Sequence, residues 1–318
     1  MKTLFVTGVA LVAGCAFLMS TANASPLCTT GSVKLTSLTT LAADHSNTAY
    51  DSDYFTDNNL LKSDYIATNC MGLFSEPSNI GSIIDKADPN RGWLGDGLLN
   101  GGIYSWGGQG PNAQTKRLID PEQFLKDATG LDDISGLLMG LKDKDDPVDP
   151  GWITLGKQDI GSAFSYESIK GSNPLDLADV LDIRFDCTGD CKTGTWSLVT
   201  TPDIISLVQG ALGDNRSTFD MLAFTFKAGT EWAVFNFNFA AIFQNEIFNL
   251  GNTGLDAPFN TPFAFAGTWD TSVFGSGLSH VGVAARDPIQ TTTTTPVPTP
   301  ASIAIMGIGL LALRLFRR

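Results

Sequence analysis

Two stretches of the chain alternate large apolar with smaller or polar side chains in the manner of half-buried strands. Over residues 219–227 the alternation puts Leu222, Phe224 and Phe226 on one face, and over 231–239 it puts Phe235, Phe237 and Phe239 on one face. Ala228-Gly229-Thr230 lies between them and predicts a hairpin turn. Shorter runs at 152–155, 183–185, 195–199, 264–268 and 278–283 sit between Gly, Pro, Asn and Asp clusters and predict further strands at the spacing of a sandwich. Only 121–128 and 134–141 predict helices, the first with Asp120 as its cap and Pro121 in its first turn. The pattern as a whole is mainly β: an antiparallel, jelly-roll-like β-sandwich with one or two short helices. No repeat of fixed period interrupts it, which disfavours a solenoid or propeller.

The two ends follow different rules. Met1, Lys2 and Thr3 precede an apolar run from Leu4 to Met19, and the small triplet Ala22-Asn23-Ala24 stands before Ser25. A positive start, an apolar stretch and an A-x-A site in that order predict a secretory signal peptide over 1–24, cut by signal peptidase between Ala24 and Ser25. Val12-Ala13-Gly14-Cys15 is a competing lipobox-like site, but cleavage there leaves a very short apolar stretch. At the other end, the threonines 291–295 and Pro296-Val297-Pro298-Thr299-Pro300 predict an extended linker over 291–300, because such a segment cannot pack a core. An apolar run over 301–313 then leads to Arg314, Arg317 and Arg318. Its thirteen residues span roughly 20 Å as a helix, short of a bilayer core of about 30 Å unless Arg314 snorkels. The arginines place this end in the cytoplasm by the positive-inside rule.

The order Pro298-Thr299-Pro300-Ala301, a short apolar helix containing Gly307 and Gly309, and a terminal arginine cluster resembles the PEP-CTERM sorting signal. Where that family carries a central Glu, this chain has Thr299. The resemblance implies an exported protein, held by a C-terminal transmembrane helix over 301–318 and processed by an exosortase, a membrane transpeptidase of Gram-negative bacteria that make exopolysaccharide. Within the body over 25–290, the second half is similar to the β-rich extracellular domain of many such proteins at Trp196, Phe219-Asp220, Phe226-Lys227-Ala228-Gly229, 267–271 and 278–281. That domain class implies no catalytic residue and no activity. The implied role is a structural or adhesive component of the cell surface or matrix; a carbohydrate- or calcium-binding module of the exopolysaccharide matrix is the alternative, and a surface glycosidase a more distant one.

Charge narrows the partners. With 33 acidic against 20 basic side chains the net charge is −13, which argues against nucleic acid, whose binders need a basic surface. Lys2, Arg314, Arg317 and Arg318 all lie in the end segments, so the body is more acidic still and repels anionic polysaccharide unless cations bridge them. Four cysteines stand outside the signal segment, Cys28, Cys70, Cys187 and Cys191. An even number in an exported chain predicts two disulfides. Cys187 and Cys191 enclose a Gly-Asp turn and close a small loop, leaving Cys28 with Cys70; the same C-x3-C can supply two zinc ligands, but no second Cys or His pair at suitable spacing accompanies it.

Few residues suggest chemistry. Asp51, Asp53 and Asp57 form one acidic segment, and Asp143, Asp145 and Asp149 another; closely spaced Asp in loops can supply calcium ligands, but neither has EF-hand spacing, and solvated loop acids are the simpler reading. No resident cofactor other than calcium is suggested. His45 and His280 are the two histidines. Ser279 beside His280 points to the opposite face of a strand, so the two do not make a nucleophile and base. The glycines 92, 95, 97, 101, 102, 107, 108 and 110 fit neither the P-loop nor the dinucleotide pattern and read as turns. Trp93, Tyr104 and Trp106 among them are core fillers or an exposed sugar-stacking platform.

Overall fold

The computed structural model describes residues 28–41, 59–74, 87–106, 114–119, 150–213, 219–239, 242 and 262–286. The expected signal segment, linker and tail lie outside these residues, as do the expected helices at 121–128 and 134–141. Among the described residues no helix is long and apolar enough to cross a membrane.

In chain order the strands are β1 (Val33–Thr40), β2 (Tyr65–Ile66), β3 (Asn69–Phe74), β4 (Ile103–Trp106), β5 (Gln114–Arg117), β6 (Trp152–Asp159), β7 (Ser165–Tyr166), β8 (Ser168–Ile169), β9 (Leu175–Asp176), β10 (Leu181–Cys187), β11 (Thr193–Thr200), β12 (Met221–Ala228), β13 (Glu231–Asn238), β14 (Phe263–Asp270) and β15 (Leu278–Arg286). All pairings are antiparallel. One sheet runs β10-β11-β14-β1-β2 and a second β3-β13-β12-β15-β6-β7, with small ribbons β4-β5 and β8-β9. Each strand expected from the apolar pattern is present; the five shorter runs extend into longer strands, while β12 and β13, at eight residues each, are one residue shorter than the stretches 219–227 and 231–239. The β12-β13 hairpin turns at Gly229, whose φ of 61° suits glycine, and pairs Phe224 with Phe235.

The two large sheets face each other across aromatic rings. Trp196 of β11 meets Phe224 of β12 at 4.7 Å between ring centroids, Phe185 of β10 meets Phe224 edge-on at 5.7 Å, and Trp269 of β14 meets Phe226 at 6.1 Å. Offset and edge-on contacts of this kind suit the ring quadrupoles and fill the gap of about 10 Å between stacked sheets. Leu222, Phe235, Phe237 and Phe239 lie in the same core, as the alternation requires.

The opposite face of the second sheet is buried too. Met221, Ala223, Trp232 and Val234 pack with Leu98, Leu99, Tyr104 and Ile119 in a second apolar cluster. The glycine-rich segment therefore serves as a third layer over part of the sheet, and Tyr104, only 4% exposed, is a core residue of that layer. Two buried asparagines fix it. Asn100 Nδ2 donates to the Trp152 carbonyl while Asn100 Oδ1 accepts from the Trp152 N–H, and Asn90 makes the same pair of bonds to Thr154. Both side chains thus occupy the place of a neighbouring strand along the start of β6. Asn90 and Gly92, at φ 58° and 76°, curl the backbone so that three successive N–H groups, of Asn90, Arg91 and Gly92, converge on the Asp96 carboxylate.

A comparable device seals β10, which ends the first sheet. Gln158 of β6 accepts from the Phe185 N–H and donates to the Phe185 carbonyl, both at 3.1 Å, and the Tyr166 hydroxyl accepts from the Ile183 N–H at 2.9 Å. One helix, α1 (Ile204–Leu212), was not among the expected elements; it buries Ile204, Val208, Ala211 and Leu212, the one-face spacing of a 3.6-residue period.

Both disulfides form as paired above, Cys28 with Cys70 and Cys187 with Cys191, with Cα atoms 6.0 and 5.2 Å apart.

Candidate functional site

A trough of about 580 Å³ lies on the outer face of the five-stranded sheet, beside a smaller depression of about 100 Å³ that shares Asp186, Thr195 and Thr268. Strand register builds it. Asp186 of β10 pairs with Thr195 of β11, Thr195 with Thr268 of β14, Thr268 with Lys34 of β1, and Lys34 with Ile66 of β2. These five side chains form one row across the sheet. Asp186, Thr195, Lys34 and Ile66 are exposed and Thr268 is half-buried. Four strands from β10 to β1 span roughly 14 Å at about 4.8 Å per step.

The floor beneath this row is held by a glycine-tryptophan interlock on the inner face. Gly194 lies opposite Trp269, and Gly267 opposite Trp196. A Cβ at Gly194 collides with the Trp269 ring, and one at Gly267 collides with the Trp196 ring and the Lys34 carbonyl. Trp196 Nε1 donates to that same Lys34 carbonyl at 3.1 Å. The indole thereby reaches past β14 and ties β11 to β1. At one end the rim is the Cys187–Cys191 loop, pinned by Leu278 N–H donating to the Cys191 carbonyl at 2.8 Å and by Thr271 N–H donating to the Lys192 carbonyl at 2.7 Å.

Among the described residues the hydroxyls of Thr195 and Thr268 make no hydrogen bond, and the Lys34 ammonium and Asp186 carboxylate have neither a hydrogen bond nor an ion pair. Asp270 at the margin accepts from the Ser272 N–H at 2.8 Å.

Other groups singled out from the sequence are placed differently. His280 of β15 sits across from Asp159 of β6, with Nε2 3.4 Å from the carboxylate. Partial burial lowers the imidazole pKa below its usual 6.5, while Asp159 works to raise it. Ser279 donates its hydroxyl to the Lys227 carbonyl at 3.0 Å. Nucleophile and base are therefore not brought together. The depressed His280 value has a sign that can be tested: the folded state takes up this proton at lower pH than the unfolded state does, so its stabilising contribution is present above about pH 6.5 and lost as pH falls through the folded value. Urea unfolding between pH 7.5 and 5.5, in wild type and His280→Gln, is expected to show a larger loss of stability in the wild type.

Asp96 is pushed up by burial and pulled back by the N–H groups of Arg91, Asn90 and Gly92, a structural carboxylate with its oxygens already engaged. Trp93 is half-buried under the Arg91 guanidinium, 4.9 Å from the ring centroid. The acid clusters around Asp51, Asp53 and Asp57 and around Asp143, Asp145 and Asp149 lie outside the described residues, as do Ala24, Ser25, Pro298, Thr299, Pro300, Arg314, Arg317 and Arg318. Among the described residues no three His, Cys, Asp or Glu side chains are grouped to hold a metal ion. An apolar cavity of about 80 Å³ lies between the sheets against α1, walled by Leu155, Leu198, Val208 and Phe265 among others. Thr200 at its wall gives its hydroxyl proton to the Phe263 carbonyl at 3.3 Å.

The trough was not legible beforehand, because its residues are ordinary strand threonines and charges that only register brings into one row. Comparison with protein-family models, with curated proteins and with solved structures finds no match for this chain.

Proposed function

We propose that the chain is an exported, non-enzymatic structural or adhesive protein, anchored for a time in the inner membrane by its tail, cut there by an exosortase, and finally associated with the cell surface or extracellular matrix. The observation that carries this reading is the order of the last segments: the Thr/Pro linker, Pro298-Thr299-Pro300, the apolar run 301–313 and the cluster Arg314, Arg317, Arg318. The signal-like start with its Ala24-Ser25 site gives the matching entry to the secretory route. Two disulfides that use all four cysteines outside the leader support the exported half, since such bonds persist in oxidising compartments. In this reading the whole chain is a jelly-roll-like sandwich flanked by a cleaved signal helix and a C-terminal membrane helix. The hydroxyl-lined trough favours a compatible second reading, in which the exported body also binds carbohydrate.

The test is the mass of the mature C-terminus in cells with and without exosortase. A chain shortened near Pro298-Thr299-Pro300 only where the enzyme is present is the expected result. An intact tail and equal mass in both strains overturn the sorting.

A further inference from the structure

We infer that the trough on the outer face of the five-stranded sheet binds a segment of uncharged polysaccharide laid across strands β10, β11, β14 and β1. This deepens the second reading above and rests on export only for where such a chain is met; the recognition chemistry stands on the trough's own residues.

The row Asp186-Thr195-Thr268-Lys34-Ile66 offers a carboxylate at one end, two hydroxyls in the middle, an ammonium further on and an exposed aliphatic side chain beyond it. A sugar hydroxyl donates and accepts at once. It can donate to Asp186, accept from Lys34 and do either with Thr195 and Thr268, none of which is occupied by a partner among the described residues. The apolar face of a sugar ring can rest on Ile66, which is 53% exposed. The part of the row from Asp186 to Lys34, roughly 14 Å, suits a short oligosaccharide rather than a single ring.

The same residues disfavour other ligands. A polyanion meets Asp186 and Asp270 on a chain of net charge −13. A peptide adding as a strand needs a free sheet edge, whereas the floor here is a sheet face whose strands are already paired with each other. The floor is also preorganised: the tryptophan interlock and the disulfide-closed rim fix the row without any ligand. With no aromatic ring on the row to stack against a sugar, each trough binds weakly, in the millimolar range, and tight association requires many copies.

The experiment is a titration of the full chain in detergent, followed by NMR or calorimetry, with four neutral oligosaccharides (maltohexaose, cellohexaose, laminarihexaose and mannohexaose) and with oligoalginate as the polyanion. At least one neutral oligosaccharide is expected to bind, and the Asp186→Ala/Thr268→Val double variant is expected to bind it about tenfold more weakly with an unchanged thermal midpoint. Thr195→Val, in the middle of the row, is a milder companion that keeps the comparison open should the double variant fold poorly; it is expected to weaken binding by about twofold. Binding to none of the four, equal affinity in the variants, or preference for oligoalginate overturns the proposal. None of these outcomes touches the C-terminal mass, so a failed trough and a failed sorting signal are told apart.

Discussion

Changing Asn100 to leucine is expected to cost at least about 3 kcal/mol of stability, far more than its small change in volume suggests. Leucine keeps the size of the side chain but removes the bonds that Asn100 makes to the Trp152 N–H, the Trp152 carbonyl and the Asp96 carbonyl. Three backbone groups are then left in a site where Asn100 is 1% exposed, and an orphaned buried group costs about 1 to 3 kcal/mol. The loss propagates, because the third layer that this residue docks also carries Leu98, Leu99 and Tyr104 onto Trp232 and Val234. Urea unfolding of Asn100→Leu beside Asn100→Asp separates the two contributions: Asp keeps an acceptor for the Trp152 N–H but sets a buried carboxylate against the Trp152 and Asp96 carbonyls, so it should be at least as damaging as leucine at pH 7 and less so where the carboxyl is protonated. A cost below about 1 kcal/mol for the leucine variant would show that the loop is not docked through this residue.

The second large effect concerns the disulfides, which differ in what they close. Cys28 and Cys70 are 42 positions apart, Cys187 and Cys191 only 4. In the chain-entropy account, closing the longer loop removes about 4 kcal/mol of unfolded-state freedom and the shorter about 2 kcal/mol. The Cys28→Ser/Cys70→Ser variant should therefore unfold at clearly lower urea than Cys187→Ser/Cys191→Ser. The longer loop also contains β1, whose carbonyl at Lys34 receives the Trp196 indole proton, so its loss should loosen the trough floor as well. Equal midpoints for the two double variants would contradict the account.

The central hairpin was legible because Leu222, Phe224 and Phe226 repeat with period two against Phe235, Phe237 and Phe239, and because Gly229 marks the turn. What that alternation concealed is the second buried face: Met221, Ala223, Trp232 and Val234 are apolar as well, so the two strands approach the continuous apolar runs of a sheet covered on both sides. Strand β1 escaped notice for a different reason. A register shift between Leu35 and Ser37 puts Val33, Leu35 and Leu38 inward, breaking the even spacing that a reader of the sequence follows. Helix α1 carried a usable signal in Ile204, Val208, Ala211 and Leu212, weakened by its short length and by Gly210. The roles of Asn90, Asn100 and Gln158 had no signal at all, since an amide that imitates a strand looks in sequence like any turn or surface amide.

The amides at the sheet margins bear on how this protein behaves when crowded. A bare outer strand is a template on which a second molecule can extend the sheet, and repetition of that event yields fibres. Along β10 the invitation is withdrawn from within: the Ile183 N–H and both backbone groups of Phe185 are taken by Tyr166 and Gln158 of the same molecule. Copies packed side by side at a surface thus have nothing to zip onto along that stretch, and an apolar replacement of Gln158 would expose a seam for polymerisation that the native chain keeps shut.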